Sequence, residues 1–212
     1  MSIVGIYDRW ADSYPPCAHN PVMRAEQSVV EPILRSLAAR RALDVGTGSG
    51  RYLPILRAGG GVVVGLDFSR AMLQRASGLR VCGDALALPF ADASFDLVNA
   101  SLMLGDIANL RTWAREIARV MHAGAHAVYS DFHPTWDRLG WKRTFETADG
   151  LTHELPIQSH TIDDHVDALA STGLRVLDVH EPRIGPDPDP AVERFRAKWG
   201  DPPVVAIFHA TR

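Results

Sequence analysis

Apolar residues along the chain follow two different spacings. In residues 22–39 and 107–121 they recur every three or four positions, which predicts amphipathic helices on the surface of a core. A third helix is expected over 69–77, with Ser69 as its N-cap, and a fourth over 161–172. Between these segments the apolar residues form short, nearly continuous runs, which are typical of buried strands.

The short runs predict seven strands, separated by turns and by the helices. They cover residues 41–45, 62–67, 79–84, 95–99, 126–132, 174–180 and 204–211. Strands that alternate with helices indicate βαβ units, in which a parallel sheet carries helices on both faces. The pattern therefore predicts an α/β fold. The Pro- and Asp-rich segment 181–190 is expected to be a loop within it.

Length, charge and cysteine content narrow the class of protein. The chain has 212 residues, the size of one ordinary domain. Its 22 basic and 25 acidic residues leave no basic surplus for binding nucleic acid, so we expect no nucleic-acid partner. The most apolar runs, 61–66 and 204–208, are too short to cross a membrane, and the first residues do not form a signal segment. Two cysteines make no disulfide framework, and a cytoplasmic location without membrane association is expected.

The most informative motif is A-L-D-V-G-T-G-S-G at residues 42–50, where a buried strand runs into three glycines. Glycine allows positive φ and lets a ligand approach the backbone closely. A dinucleotide fingerprint, G-x-G-x-x-G, would need a further glycine at the position of Arg51. Asp44 precedes the glycines, where its charge opposes a pyrophosphate and favours an ammonium group. The motif therefore predicts a ligand with a cationic head.

Two further acids end the next two predicted strands. Asp67 follows the first glycine by about 20 residues, the spacing at which a carboxylate accepts hydrogen bonds from a ribose diol. Phe68 and Met72 offer an apolar surface to a purine, although a Met at helical spacing is equally expected in the core. Asp84 can accept a hydrogen bond from an exocyclic amine. Together these residues predict a ligand made of adenosine and an amino-acid tail.

Four segments within residues 41–131, about half of the chain, resemble the class I S-adenosylmethionine-dependent methyltransferases, and specifically the small-molecule enzymes related to ubiquinone and menaquinone biosynthesis. They are ALDVGTGSG, VVVGLDFSRAML, VCGDALALPFADASFDLVNASLML and REIARVMHAG. The resemblance implies a Rossmann-like, seven-stranded, mostly parallel sheet with helices on both faces and an antiparallel last strand. It also implies S-adenosylmethionine as cofactor and methyl transfer to an O, N, C or S atom of a small-molecule acceptor.

The resemblance also assigns residues and boundaries. The methionine part is expected against Asp44, Gly46, Thr47, Gly48 and Gly50, the ribose at Asp67, the adenine at Phe68 and Met72, its amine at Asp84 and Ala85, and the reacting methyl near Asn99. The N-terminal I-Y-D-R-W-A-D-S-Y resembles the lid segment of this group. One methyltransferase domain is expected over 1–212, with the lid and a helix in 1–40, a cofactor-binding half in 41–132 and a substrate-side half in 133–212.

Several residues keep two interpretations. Tyr7, Trp10 and Tyr14 are either a lid that closes on the ligand or a stripe that packs a helix. Arg24 either binds the cofactor carboxylate or is a solvated helix residue. His133, just past the fifth strand, is the candidate general base, with a structural loop histidine as the alternative.

Metal binding is not expected, because the acids and histidines of 160–165 fall at a helix start, where Asp is favoured for capping. Two alternatives to methyl transfer remain. One is a protein of the same fold that binds S-adenosylmethionine for another reaction or for regulation, and the other is a nicotinamide-dependent oxidoreductase. The sequence assigns neither the acceptor nor the oligomeric state.

Overall fold

A computed structural model describes residues 2–147 and 150–212. Its strands are β1 (Arg41–Val45), β2 (Val62–Asp67), β3 (Leu79–Cys82), β4 (Phe95–Ser101), β5 (Met121–Phe132), β6 (Arg143–Glu146), β7 (Thr152–Leu155), β8 (Arg175–His180) and β9 (Val205–Thr211). Its helices are α1 (Ile3–Trp10), α2 (Pro21–Ser36), α3 (Leu53–Arg57), α4 (Arg70–Arg75), α5 (Leu110–Val120), α6 (Thr135–Leu139), α7 (Ile162–Ala170) and α8 (Pro190–Trp199).

The main sheet has seven strands in the order β3-β2-β1-β4-β5-β9-β8. Strands β1 to β5 are parallel to one another, whereas β9 is antiparallel to both of its neighbours, β5 and β8. The expected seven-stranded, mostly parallel sheet with an antiparallel last strand is confirmed. Chain order reverses at β1, which lies between β2 and β4. A crevice outside the carboxyl ends of the strands at such a reversal is the usual ligand site of this architecture.

Helices cover both faces of the sheet, as the apolar strands require. On one face, Trp113 and Ile117 of α5 pack with Leu169 of α7 and with Phe208 of β9. On the other face, α2 packs on β5 and β9, and α3 packs on β2 and on α2, in a second cluster that includes Val30. None of the helices in the described part of the chain is both long and apolar enough to cross a membrane.

The predicted N-cap of α4 is confirmed. Ser69 is the N-cap of α4 and accepts a hydrogen bond from the Met72 backbone N–H. Thr161 caps α7 in a capping box, in which Asp164 bonds back to the Thr161 backbone. The Asp164 side chain therefore stabilises the N-terminus of α7. No group of three or more His, Cys, Asp or Glu side chains suited to a metal occurs among residues 2–147 and 150–212.

Two local predictions differ from the structure. Strand β5 begins at Met121 instead of residue 126, so Gly124, with a φ of 81°, lies inside the strand. The strand begins directly after α5 because Met121 already pairs with Phe95 of β4. The pattern also does not predict the two-stranded sheet of β6 and β7 or the helices α6 and α8, and it offers the helix α1 only as one of two interpretations. Each of these elements has ten residues or fewer, which leaves little periodicity to detect.

Candidate functional site

A cavity of about 800 Å³ opens at the carboxyl edge of the sheet, within the size range of small-molecule sites. Its walls come from the glycine loop after β1, from the segments that follow β2, β3, β4 and β5, and from α1, β6 and α8. Lining residues include Tyr7, Tyr14, Gly46, Gly48, Asp67, Phe68, Met72, Asp84, Ala85, Asp106, Phe132, Trp136, Arg143 and Phe195. The cavity is therefore lined both by the motifs of the first half of the sequence and by residues of its C-terminal third.

The glycine loop lines one wall of the cavity through Gly46 and Gly48, which both adopt positive φ. Gly46 has a φ of 67°, and a Cβ there would lie 2.8 Å from the Met103 Cβ, closer than atoms can approach. Gly48 has a φ of 55°, and a Cβ there would meet nothing within 4 Å. The loop is therefore packed tightly at Gly46 and leaves open space at Gly48, where a ligand can reach the backbone.

Asp44 lies beneath this loop and does not line the cavity. Its Oδ2 accepts a hydrogen bond from the Thr47 hydroxyl at 2.6 Å, and its Oδ1 accepts one from the Asn99 amide at 2.7 Å. Burial raises the pKa of Asp44 to about 6, and these two bonds oppose the shift. Asp44 and Thr47, predicted at the methionine part of the ligand, and Asn99, predicted near the reacting methyl, are buried beneath the loop and are absent from the cavity wall. Gly50 is likewise absent from the cavity wall, and a Cβ there would lie 2.9 Å from Leu53.

Asp67 reaches the cavity from the end of β2. Its Oδ2 accepts a hydrogen bond from Gly48 N–H at 2.8 Å, and its Oδ1 accepts one from Ser69 N–H at 2.8 Å. Burial raises the pKa of Asp67, and backbone N–H groups oppose that shift. Asp84 lines the cavity from the segment after β3 and accepts from Leu86 N–H at 2.8 Å. Among the described residues, neither carboxylate has a basic side chain within ion-pair distance.

Of the apolar residues predicted at the adenine, Phe68 and Ala85 line the cavity. Met72 also contributes to the wall, but its side chain is only 1% exposed and serves mainly the core, as one of its two interpretations expected. Tyr14 lines the cavity near α1, and burial raises the pKa of its phenol. The predicted cofactor contacts of these residues remain predictions, and the structure brings them to one surface.

Two further predicted site residues, Arg24 and His133, also lie away from the cavity wall. Arg24 forms a two-point ion pair with Asp187, at 2.5 and 2.8 Å, so its guanidinium holds the loop before α8. His133 is buried, its Nδ1 accepts from Thr135 N–H at 3.1 Å, and its Nε2 donates to Glu181 at 2.7 Å. With both ring nitrogens occupied and no cavity surface, His133 fits the structural interpretation.

A polar cluster that the sequence does not predict also lines the cavity. The Tyr7 hydroxyl of α1 donates to Asp106 Oδ2 at 2.5 Å, and Arg143 Nη1 of β6 donates to Asp106 Oδ1 at 2.8 Å. Arg143 also contacts the Tyr7 hydroxyl. Burial raises the pKa of Asp106 to about 7, whereas the adjacent guanidinium favours the carboxylate. Burial lowers the pKa of Arg143 to about 10, which leaves it charged at neutral pH.

A second buried network, also missed, ties the glycine loop to α2. Glu26 is fully buried and accepts hydrogen bonds from Arg51 at 2.8 Å, from the Tyr52 hydroxyl at 2.6 Å and from Ser130 at 2.8 Å. Arg51, the residue that breaks the dinucleotide fingerprint, thus anchors the loop. Its guanidinium compensates the buried charge of Glu26. No local pattern signals either cluster, because their members are far apart in sequence.

Fold and site together define a class of protein. Residues 43–129 match the family model described as a methyltransferase domain. The chain carries the methyltransferase domain of the class I S-adenosylmethionine-dependent methyltransferases, the family that the motifs resemble. S-adenosylmethionine is the cofactor of that class.

Curated relatives and solved structures agree with this assignment. The chain is 43% identical over 94 residues to a demethylmenaquinone methyltransferase of Roseiflexus sp., covering 40% of each chain. It is 31% identical over 157 residues to the biotin biosynthesis bifunctional protein BioHC of Cellvibrio japonicus, covering 68% of this chain and 31% of that one. An S-adenosylmethionine-dependent methyltransferase from Mesorhizobium loti has the same fold, with a TM-score of 0.66, 24% identity, and coverage of 89% and 98%. The chain spans well under half of the length of those two curated relatives.

Proposed function

We propose that the protein transfers a methyl group from S-adenosylmethionine to an O, N, C or S atom of a small-molecule acceptor. The observation that carries this proposal is the charge of the cavity wall. Asp67 and Asp84 face the cavity without basic partners in the described chain, beside the open space at Gly48. Unpaired carboxylates suit hydroxyl, amine and cationic groups and oppose a diphosphate. The nicotinamide alternative is therefore disfavoured.

The residues present fit this cofactor. Asp67 is placed to accept hydrogen bonds from a ribose diol, Phe68 and Ala85 to contact a purine, and Asp84 to accept from its amine. Gly48 leaves room for the amino-acid tail, with Asp44 and Asn99 holding the loop from below. When bound, S-adenosylmethionine supplies a methyl group already activated on a cationic sulfur. The protein's main task is then to align two reactants and to keep water out.

Helix α1 supports the proposal by forming a cover over the cavity. The Tyr7 ring packs edge-to-face on Phe68 with 5.3 Å between centroids, and Trp10 stacks on Phe145 at 4.8 Å. Asp8 accepts a hydrogen bond from the Ser69 hydroxyl at 2.6 Å. These contacts favour the lid interpretation of the N-terminal segment, in which α1 shields the reacting groups from solvent.

The proposal also covers the extent of the domain, the kind of partner and the cellular compartment. Residues 1–212 act as one methyltransferase domain, since the main sheet draws its strands from Arg41–Val45 through to Val205–Thr211. The formal charge of -3 supports an activity without nucleic acid. Cys17 and Cys82 are both free and exposed, which suits a reducing compartment such as the cytoplasm.

Isothermal titration of the purified protein with S-adenosylmethionine, and separately with reduced nicotinamide cofactor, tests the ligand. We expect binding of the first only. Asp67→Ala should weaken that binding about 10- to 100-fold, because charge-assisted hydrogen bonds are each worth about 1.5–3 kcal/mol. Asp178→Ala, on the far sheet edge, is the matched control and should bind like wild type. Methyl transfer into a metabolite extract then separates an enzyme from a protein that only binds the cofactor.

A further inference from the structure

The basic side chains that line the cavity are already neutralised. Each of those in the described part of the chain has an acidic partner, and His19, which also lines the cavity, has a pKa lowered by burial and is neutral. The pairs are Arg51 with Glu26 at 2.8 Å, Lys142 with Glu154 at 2.8 Å, and Arg143 with Asp106 at 2.8 Å. A cavity with this arrangement presents no free positive charge to a ligand.

The unpaired acids, in contrast, lie on one side only. Asp67 and Asp84 belong to the wall assigned above to the cofactor. The opposite wall consists mainly of aromatic and aliphatic side chains, with the neutral Asp106–Arg143 pair set among them. Its apolar members are Phe132, Trp136, Ile184, Val192 and Phe195. The acceptor side is therefore apolar and electrically balanced.

We propose that the acceptor is a neutral, flat, largely apolar molecule bearing a weakly acidic hydroxyl, and that Asp106 receives the proton of that hydroxyl. This inference rests on the proposed function, because it names the acceptor class of the same site. A charged acceptor would have to give up its hydration without finding an opposite charge, which is costly in an apolar pocket. An aromatic acceptor finds ring surfaces on Phe132, Trp136 and Phe195, against which flat molecules pack well.

Asp106 is placed to take a proton. Its side chain is 10% exposed and lines the cavity, and its Oδ1 accepts the Arg143 bond at 2.8 Å with a second lone pair still available. Tyr7 holds Oδ2 and also packs on Phe68, so the carboxylate lies beside the cofactor wall. In the step, the O–H bond of the acceptor breaks and its oxygen bonds to the methyl carbon. That carbon leaves the sulfur, which keeps the electron pair, and the proton passes to Asp106.

The charges of this step balance within the cavity. A cationic sulfur and the Asp106 carboxylate are present before the reaction, and a neutral sulfide and a protonated Asp106 remain after it. Burial, which disfavours the carboxylate, gives Asp106 the tendency to accept a proton near neutral pH. Arg143 keeps the carboxylate in place without supplying charge to the acceptor.

Binding to protein saturated with S-adenosylhomocysteine tests the acceptor class without turnover. The probes are 2-naphthol, neutral at pH 7, and 2-naphthoate, its anionic counterpart of similar shape. By titration calorimetry we expect 2-naphthol to bind at least about 10-fold more tightly than 2-naphthoate, the effect of one uncompensated charge. Equal or tighter binding of 2-naphthoate, or binding of neither probe, overturns the assignment.

A charge-changing variant sharpens the test. Asp106→Asn leaves Arg143 without its partner, so 2-naphthoate should gain at least about 10-fold in affinity while 2-naphthol changes by less than about threefold. Asp92→Asn removes the acid of another Arg–Asp pair, the surface pair with Arg119. This control should keep the wild-type ratio of 2-naphthol affinity to 2-naphthoate affinity. The same ratio in Asp106→Asn as in wild type would refute the claim that Asp106 neutralises Arg143 on the acceptor side. If that variant does not fold, the two probes on wild type decide the acceptor class alone.

Proton transfer is tested with 2-naphthol and S-adenosylmethionine by detecting the methyl ether. Asp106→Asn should lower turnover by about 10² to 10⁴, the usual contribution of a general base, with S-adenosylhomocysteine affinity within about threefold of wild type. Wild-type turnover in the variant, or no methylation by wild-type protein that binds 2-naphthol, overturns the role of Asp106. If wild-type protein does not bind S-adenosylmethionine, the proposed function itself is overturned. Failure of the acceptor assignment and failure of the proposed function are therefore distinguishable.

Discussion

Gly48 and Gly60 offer a matched test of where the cofactor lies. Both have positive φ, 55° and 79°, and a Cβ on either would meet nothing within 4 Å. Gly48 lines the cavity, whereas Gly60 lies in the exposed turn between α3 and β2, at the opposite end of the sheet. Alanine substitution therefore imposes the same backbone strain at both sites and adds a methyl group to the cavity at only one.

The magnitudes follow from these two effects. A left-handed conformation costs an L-residue about 1–2 kcal/mol, so Gly48→Ala and Gly60→Ala should each lower stability by about that amount. In a domain of this size, that corresponds to a melting temperature lower by roughly 2–8 °C. The added methyl of Gly48→Ala also occupies space needed by the ligand, at an overpacking cost of about 1–3 kcal/mol, or about 5- to 150-fold in affinity.

Thermal melts without ligand and calorimetric titration with S-adenosylhomocysteine separate strain from occlusion. We expect similar melting temperatures for the two variants, and weaker binding for Gly48→Ala alone. Wild-type affinity in Gly48→Ala would refute the placement of the ligand against the loop. Equal losses of affinity in both variants would show that backbone strain, rather than the methyl group, weakens binding.

Two further predictions concern residues that support the site. Because burial raises the folded-state pKa of Asp44 to about 6 from 3.8, its contribution to stability is lost as pH rises between these values, by about 3 kcal/mol in all. The free energy of unfolding in urea, measured from pH 4.5 to 8, should fall for wild type relative to Asp44→Asn as the pH rises. A difference between the two proteins that does not change with pH would contradict this. His133→Ala should lower the melting temperature, because it removes buried hydrogen bonds to Thr135 and Glu181, but it should keep wild-type turnover. A loss of turnover of 100-fold or more would instead support a role of His133 as a base.

The parts of the fold that the sequence predicts well are those determined by local pattern. Strands over 41–45 and 62–67 have the predicted bounds, because each is an apolar run closed by glycines or an acid. The start of β5 was predicted too late. Residues 121–125 combine a histidine and a glycine with small apolar residues, and they become a strand through pairing with β4 and through the Gly124 bond to Arg212. Those partners are distant in sequence, so pattern alone does not reveal them.

The same distinction applies to the site. Motif spacing brings Gly48, Asp67 and Asp84 to one wall, because parallel strands end at the same edge. It does not tell which side of a loop faces the ligand. Asp44 and Asn99 belong to the same motifs, but their side chains are buried below the loop, where they bond to each other. A strand end has two sides, and spacing along the chain defines only the position of that end.

The local sequence pattern does not predict the acceptor side of the cavity, for a different reason. Tyr7 and Asp106 are 99 residues apart, and Tyr7 and Arg143 are 136 apart, so the cluster exists only once three distant segments have folded together. Tyr7 also joins this cluster to the cofactor wall through Phe68. The acceptor wall and the cover over the cofactor are therefore completed by the same helix in the same position.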